Sequence, residues 1–449
     1  MALIAVNVYR AATQAITIDE AYTYNTFVER GVADSVKYYD ANNHVLHTIL
    51  VKLSTAVFGV SELTVRLPSV LGGALYLTAV WRLCSYAFGG GWMMLLAVAM
   101  LGLNPFVLDY LSIARGYGLG LAFLLLAMDQ LTRYFGDLRR GRLYGAGVAL
   151  GLAVASQLVF LVPGAGLATA FAAIVLRRAR SRASVWMLVD HFAIPGIVTA
   201  FVILVVPLSR AIVGHYYYGA VSLSQAVWSL VAASFTPWAL SVDLWWFIAA
   251  LALLVAASGA AFVLVLRRAE RPGGGEAVAA LAGGTMVFSL AALVAAHHAA
   301  GVLYPLERTG IYWVPLFVLA GFGLARRRGA RAVVAVVSLL CVVQFAQLFR
   351  VSYYRPWMGD AGVQRIVAAL RARERGARGV RVSGSWEFEP ALNFYRRMYR
   401  LEWMEPAVRG APDDPGDYHV FTGPDAGMAD RLGLRVLYRD SLTGAVLAR

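Results

Sequence analysis

The first 350 residues contain ten apolar stretches, at roughly 64–82, 91–109, 116–133, 143–160, 161–176, 185–206, 244–266, 276–297, 311–325 and 332–349. Most are long enough to cross a hydrocarbon core of about 30 Å. Backbone groups in lipid must be satisfied internally, so a chain built this way folds as a helical bundle. Composition agrees: 59% of the 449 residues are hydrophobic and 15% charged. Soluble domains hold about 45–50% apolar residues, and their cores stop growing beyond a few hundred residues. A disordered chain, a disulfide scaffold and an ordinary soluble enzyme are thereby excluded. Residues 1–18 are predicted to be the first of about eleven spans, but they carry Asn7, Arg10 and Gln14. They just reach across the core at about 1.5 Å per residue. Such a helix is either cut short by a misassigned start or shielded by its neighbours. No small-residue cleavage site precedes Asp19, against a signal peptide.

Charge divides the chain in two. Residues 355–449 hold 15 Arg and 12 Asp or Glu, a soluble-like density. The first 354 hold only 25 basic and 14 acidic groups. The expected organisation is a membrane region, 1–350, followed by a water-exposed unit, 351–449. The net charge of +14 does not point to nucleic acid, because no basic patch is interleaved with aromatics. Instead the arginines cluster in alternate connections: Arg133, Arg139, Arg140 and Arg142; Arg177, Arg178, Arg180 and Arg182; Arg267, Arg268 and Arg271; Arg326, Arg327, Arg328 and Arg331. The positive-inside rule puts these four loops in the cytoplasm. The segment 19–63, the loops near 110–115, 207–243 and 298–310, and the C-terminal unit then lie outside. Arg115, Arg210 and Arg308 are the basic residues of the three later outer loops. An arginine against the topological bias is there to bind an anion, to pair, or to snorkel. Cys84 and Cys341 both lie in apolar segments and read as buried small hydrophobes.

The outer loops collect the remaining polar chemistry. Thr17-Ile18-Asp19-Glu20 reads as a capping box, with Thr17 as N-cap and Glu20 at N3, leaving Asp19 free to act as a base. Further on come Asp40, Asn42, Asn43, His44 and His47. The histidine spacing resembles half a metal site, but a polar helix entry capped by Asn42 or Asn43 explains the run, with an interfacial helix bearing Lys52 from His44 to Phe58. Glu62 and Arg66 are spaced for a local i,i+4 ion pair. Asp109, Arg115 and Tyr117 lie around the second outer loop, and Tyr304, Glu307 and Arg308 in a later one.

Asp19-Glu20 after the first span, Arg66-Leu67-Pro68-Ser69 opening the next, and Ala114-Arg115-Gly116-Tyr117 in the second outer loop resemble the GT-C superfamily of polyprenyl-phosphate-sugar-dependent glycosyltransferases. Within it the bacterial family 39 group is closest, with protein O-mannosyltransferases and the lipid A aminoarabinose transferase as relatives. The resemblance implies a polytopic α-helical, GT-C-like membrane protein with a small C-terminal α/β extracytoplasmic domain, in a bacterial inner membrane. It implies a polyprenyl-phosphate-linked sugar as donor and a hydroxyl on a lipid, glycan or protein as acceptor. It also implies inversion at the anomeric carbon. Phosphate leaves readily, so the demands are a base and cations. Asp19, with Glu20 beside it, is expected to be catalytic. Arg115 and Arg308 are expected to bind the donor phosphate, with Lys52, Arg66 and Arg210 as lesser candidates. Tyr22, Asp40, Asn43, His44, Asp109, Tyr117, Tyr304 and Glu307 are candidates for sugar or acceptor. No cofactor or metal is expected. Many relatives carry a glutamate where this chain has Ile113, and Asp109, one helical turn away, is the expected substitute.

In residues 351–449 helices are predicted over 362–375 and 390–399 and strands over 380–383, 418–421 and 434–438, a small α/β layer. Three other readings compete. A flippase or transporter for a lipid-linked sugar would show internal repeats and ionisable groups within its spans, where Asp129, Asp190 and His191 are the main ones. A polysaccharide polymerase or ligase acts on similar lipids, and a membrane scaffold would carry a binding module without catalysis. Release of free polyprenyl phosphate separates a transferase from a flippase.

Overall fold

The computed structural model describes residues 1–179, 181–211, 218–235, 243–268, 270–325, 328–374, 379–409 and 416–449. Arg180, Arg326, Arg327 and parts of the loop 207–243 lie outside the described residues. Among the described residues six helices are long and apolar enough to cross a membrane: Glu62–Phe88, Leu158–Arg178, Arg182–Ser209, Trp245–Arg267, Gly274–Ala300 and Arg328–Leu348. The chain is a multi-pass helical membrane protein. The remaining predicted spans are helical but shorter, broken or more polar: Trp92–Gly102 followed by Pro105–Tyr110, Tyr117–Asp137, Arg140–Ser156 and Trp313–Leu324. Asn104 caps Pro105–Tyr110 through the Val107 N–H, which is why the apolar run breaks there. Cys84 and Cys341 are free and buried.

The N-terminal helix, Ala2–Thr13, has 12 residues. At about 1.5 Å per residue it is shorter than a bilayer core. Its polar groups are shielded. Arg10 is fully buried, ion-paired to Asp109, and lies 5.0 and 4.8 Å from the rings of Phe349 and Tyr354. Gln14 donates to the Val351 carbonyl at 2.8 Å.

The C-terminal unit contains one five-stranded sheet: β1 Val382–Gly384, β2 Val408–Arg409, β3 Tyr418–Phe421, β4 Val436–Arg439 and β5 Val446–Ala448. Their order is β2-β1-β3-β5-β4, parallel across β2, β1 and β3 and antiparallel to β5 and β4. The helices Val363–Arg373 and Glu389–Met398 pack on it, so the α/β expectation holds, with β2 and β5 added. This unit closes a small cluster by itself, Phe421, Ala426, Ala429, Val446 and Ala448, and shares its larger one. The larger cluster, which includes Ile366, Phe388 and Tyr395, also takes in Ile16, Ala21, Tyr24 and Val28 near the first outer loop.

Candidate active site

The site is built on the short helix Ile18–Thr23. Thr17 accepts from Glu20 N–H and Glu20 answers through Thr17 N–H, the predicted capping box. The Glu20 carboxylate does more than cap. Oε1 accepts from Arg66 Nε at 2.8 Å and Ala114 N–H at 2.6 Å; Oε2 accepts from Arg66 Nη2 at 2.6 Å and Thr17 N–H at 2.9 Å. With four bonds and complete burial, Glu20 has no capacity left for a substrate proton. Arg66 is equally committed, since it also donates to the carbonyls of Ala11, Gln14 and Ala15. The expected Glu62–Arg66 pair is not formed. Glu62 instead accepts from Gln364 at 3.1 Å, because the buried Glu20 offers Arg66 two oxygens in a fork.

Glu20 therefore ties the three motifs together. By holding Ala114 N–H it fixes the loop that projects Arg115. The next amide, Gly116 N–H, donates to His44 Nδ1 at 3.0 Å, and Ser69 Oγ approaches the Arg115 carbonyl at 3.4 Å. Ser69 also bonds His47 Nε2 at 2.8 Å. Gly116 is required here, because a Cβ would strike the Ser156 carbonyl and lie 2.8 Å from His44 Nδ1. His44 is the N-cap of the helix Val45–Phe58, the role expected of Asn42 or Asn43. Asn43 turns instead to the carbonyls of Ser35 and Tyr38. Burial, then Arg115, His47 and Arg308, hold His44 well below the usual imidazole range; burial and Arg115 push His47 down to about 3. Both rings are neutral. His44 accepts on Nδ1, so its proton sits on Nε2, a buried donor with no partner. The half-metal-site reading of the two histidines gives way to these bonds. Among the described residues no group of three or more His, Cys, Asp or Glu converges.

Asp19 differs from its neighbour. Its carboxylate is 17% exposed, and Oδ2 stands 3.9 Å from Arg115 Nη2 and 3.8 Å from Arg308 Nη1. These separations exceed a hydrogen bond, so the charge is balanced while the oxygen stays available. Arg115, 1% exposed, donates to Asn42 Oδ1 at 2.8 Å and keeps a buried Nε with no partner. Arg308 arrives on the turn Glu307–Gly310, 4.4 Å over the Tyr218 ring. Glu307 takes a left-handed backbone, φ 45°, and its carboxylate accepts from Tyr218 at 2.8 Å. A cavity of about 260 Å³ opens beside Arg308, lined also by Tyr39, Tyr117, Gln157, Tyr218 and Thr309.

Other candidates are placed elsewhere. Lys52 donates to the Val28 and Glu29 carbonyls, closing the end of the π-helical turn Tyr24–Val28 that continues Ile18–Thr23. Asp109, the expected stand-in at Ile113, turns to Arg10 and accepts from Arg355 N–H at 3.3 Å. Tyr304 pairs its backbone with Ala220 and stacks 4.4 Å from His297. Arg210 follows the helix Ile194–Ser209 and is exposed. Tyr22 packs edge-on to Phe27, and Asp40 accepts from Asn42 N–H at 2.7 Å, just behind the residue that holds Arg115. Sequence reasoning missed Tyr218 as a site residue, and read Asn42 only as a helix cap. Asn42 lay in an evident polar run; Tyr218, in a tyrosine triplet, carried no spacing signal.

Asp360, from the C-terminal unit, also escaped notice. It accepts from Ile18 N–H at 2.8 Å, one residue before Asp19. Burial, with Asp19, Glu20 and Glu387 nearby, pushes its carboxyl up to about 7 despite that bond.

Comparison with known proteins bears on this constellation. Residues 45–209 match the dolichyl-phosphate-mannose-protein mannosyltransferase family. The matched stretch carries His44's helix, Arg66, Ser69, Arg115 and Tyr117, and the family agrees with the resemblance drawn from those motifs. Among solved structures, ArnT from Cupriavidus metallidurans bound to undecaprenyl phosphate is similar at 17% identity and a TM-score of 0.47, over 99% of this chain and 96% of that one. Its apo form gives the same values. Arabinosyltransferase EmbB from Mycobacterium smegmatis is similar at 14% identity and a TM-score of 0.41, covering 72% of this chain and 29% of that one. No curated protein matches in sequence.

Proposed function

We propose that the chain is a GT-C-type glycosyltransferase, moving a sugar from a polyprenyl phosphate to a hydroxyl acceptor at the extracytoplasmic face of a bacterial inner membrane. The observation that carries this reading is the placement of a partly open Asp19 between Arg115 and Arg308, the latter on a tyrosine-lined cavity. Two guanidiniums and one carboxylate leave the cluster with an excess of one positive charge, which favours an anion. Buried polar groups without partners are rare, and Arg115 Nε and the Nε2–H of His44 are two donors at this place. The family match, named for a dolichyl-phosphate sugar, supports the same donor class.

In this reading the phosphate lies against Arg308 and Arg115, which bind it through charge-assisted bonds and stabilise the charge that grows on its oxygen as the anomeric C–O bond breaks. Asp19 takes the proton of the acceptor hydroxyl as that oxygen attacks the opposite face of the anomeric carbon. Single displacement gives inversion, free polyprenyl phosphate and a protonated Asp19. Glu20 and Arg66 do not touch substrate; they hold the loops that do. The first outer loop and the C-terminal unit share the extracytoplasmic side, and the arginine clusters face the cytoplasm.

The test is release of undecaprenyl phosphate from a panel of undecaprenyl-phosphate pentoses and hexoses by the purified full chain in nanodiscs. Asp19→Asn should lower the rate about 1,000-fold with the protein still folded, as loss of a general base does. Near-normal release by this variant removes Asp19 as the base. Transbilayer movement of intact donor without release would replace transferase by flippase.

A further inference from the structure

We propose that Asp360, backed by Tyr395, is a positioning residue: the C-terminal unit holds the backbone on either side of Ile18 and so fixes where the Asp19 carboxylate stands. The proposal rests on the reading of Asp19 as the base.

The helix Ile18–Thr23 runs directly into a π-helical turn, Tyr24–Val28, and a helical run this short is marginal by itself, because forming its first turn costs more order than it returns. The amides at its start have no partners within the helix. Here three successive amides are each taken. Ile16 N–H donates to the Tyr395 hydroxyl at 2.9 Å, Thr17 N–H to Glu20 at 2.9 Å, and Ile18 N–H to Asp360 Oδ2 at 2.8 Å. Two of the three acceptors come from more than 340 residues away in sequence. Both are buried, Asp360 at 7% exposure and Tyr395 at 0%. The far end of the segment is held by the same unit, through Asn25 Nδ2 on the Pro390 carbonyl and Arg397 on Asn25 and Glu29. Between these anchors Ile16, Ala21, Tyr24 and Val28 are buried in the C-terminal unit's core.

The bond to Asp360 acts one residue from the base. Asp19 makes only long contacts to its arginines, so its carboxylate is aimed by its backbone rather than by side-chain bonds. Moving Ile18 moves Asp19, and a shift of about 1 Å at a reacting group costs about 100-fold in rate. A donor phosphate held by Arg115 and Arg308 does not sense that shift.

The experiment uses the full chain in nanodiscs, with the same donor panel, and two readouts. In Asp360→Ala, kcat for undecaprenyl phosphate release should fall about 100-fold, while Kd for undecaprenyl phosphate itself stays within about twofold. Asp360→Asn keeps a carbonyl for Ile18 N–H and should restore most of the rate. Amide hydrogen exchange of residues 16–24 should quicken about tenfold or more in Asp360→Ala, with residues 117–137 unchanged. Tyr395→Phe, which keeps the ring and removes the bond to Ile16, should move both readouts the same way and serves if Asp360→Ala does not fold. Unchanged exchange overturns the clamp, and faster exchange with wild-type kcat overturns positioning. If the wild-type chain releases no undecaprenyl phosphate from any donor, the glycosyltransferase reading fails, while exchange still decides the clamp.

Discussion

The two ends of the helix Tyr117–Asp137 use arginine in opposite ways. Its 21 residues put the ends about 31 Å apart. At the Arg115 end Arg10, Arg66 and Arg115 are at most 1% exposed, and each meets a carboxylate from a distant stretch of chain. At the Asp137 end Arg139 is 79% exposed and pairs with Asp137 two residues away. Arg268, 55% exposed, likewise pairs with Glu276, eight residues on in the next helix. Exposed arginines near a membrane set orientation and are screened by water; buried ones organise backbone, because a guanidinium out of water demands fixed partners. The same residue type lies in solvent at one end and ties distant stretches of chain together at the other.

Substitutions can break that contrast, and the largest effect should be at Arg66. Removing one partner of a buried pair strands the other, so Arg66→Ala should cost about 3–5 kcal/mol of stability. Thermal unfolding of the solubilised protein measures it, and Arg66→Met with Glu20→Gln should recover part of the loss. Next come the two arginines facing Asp19. Arg308→Ala and Arg115→Ala should each weaken undecaprenyl phosphate binding about 10- to 100-fold, the worth of a charged hydrogen bond, with the fold retained for Arg308. Direct titration in nanodiscs checks this, and unchanged affinity removes either from the phosphate site. Smallest is the other end: Arg139→Ala and Arg268→Ala should change unfolding by less than about 1 kcal/mol and leave transfer unaltered. A large loss there would erase the distinction between the ends.

The sequence made the helices legible because apolar run length is a one-dimensional signal. The cap at Thr17 and the strand at Tyr418–Phe421 were likewise local, and Asp19, Arg115 and Arg308 stood out because isolated charge in apolar surroundings is conspicuous. Pairing was not legible. Arg66 had Glu62 four residues away and chose Glu20, 46 residues back, because burial rewarded a fork over proximity. Asp109 was expected to stand in for the glutamate missing at Ile113 and turned to Arg10, whose unshielded charge could not otherwise lie inside the bundle. Asp360 carried no signal, since a carboxylate in a charged tail is ordinary until an amide from the other end of the chain meets it.

The shared core of the first outer loop and the C-terminal unit bears on biogenesis. The loop holding Asp19 leaves the ribosome more than 340 residues before Asp360 and Tyr395, the residues that complete its packing. The bundle can insert helix by helix while the Asp19 loop waits without those partners. A chain cut before Asp360 therefore has an Asp19 loop without the residues that complete its packing.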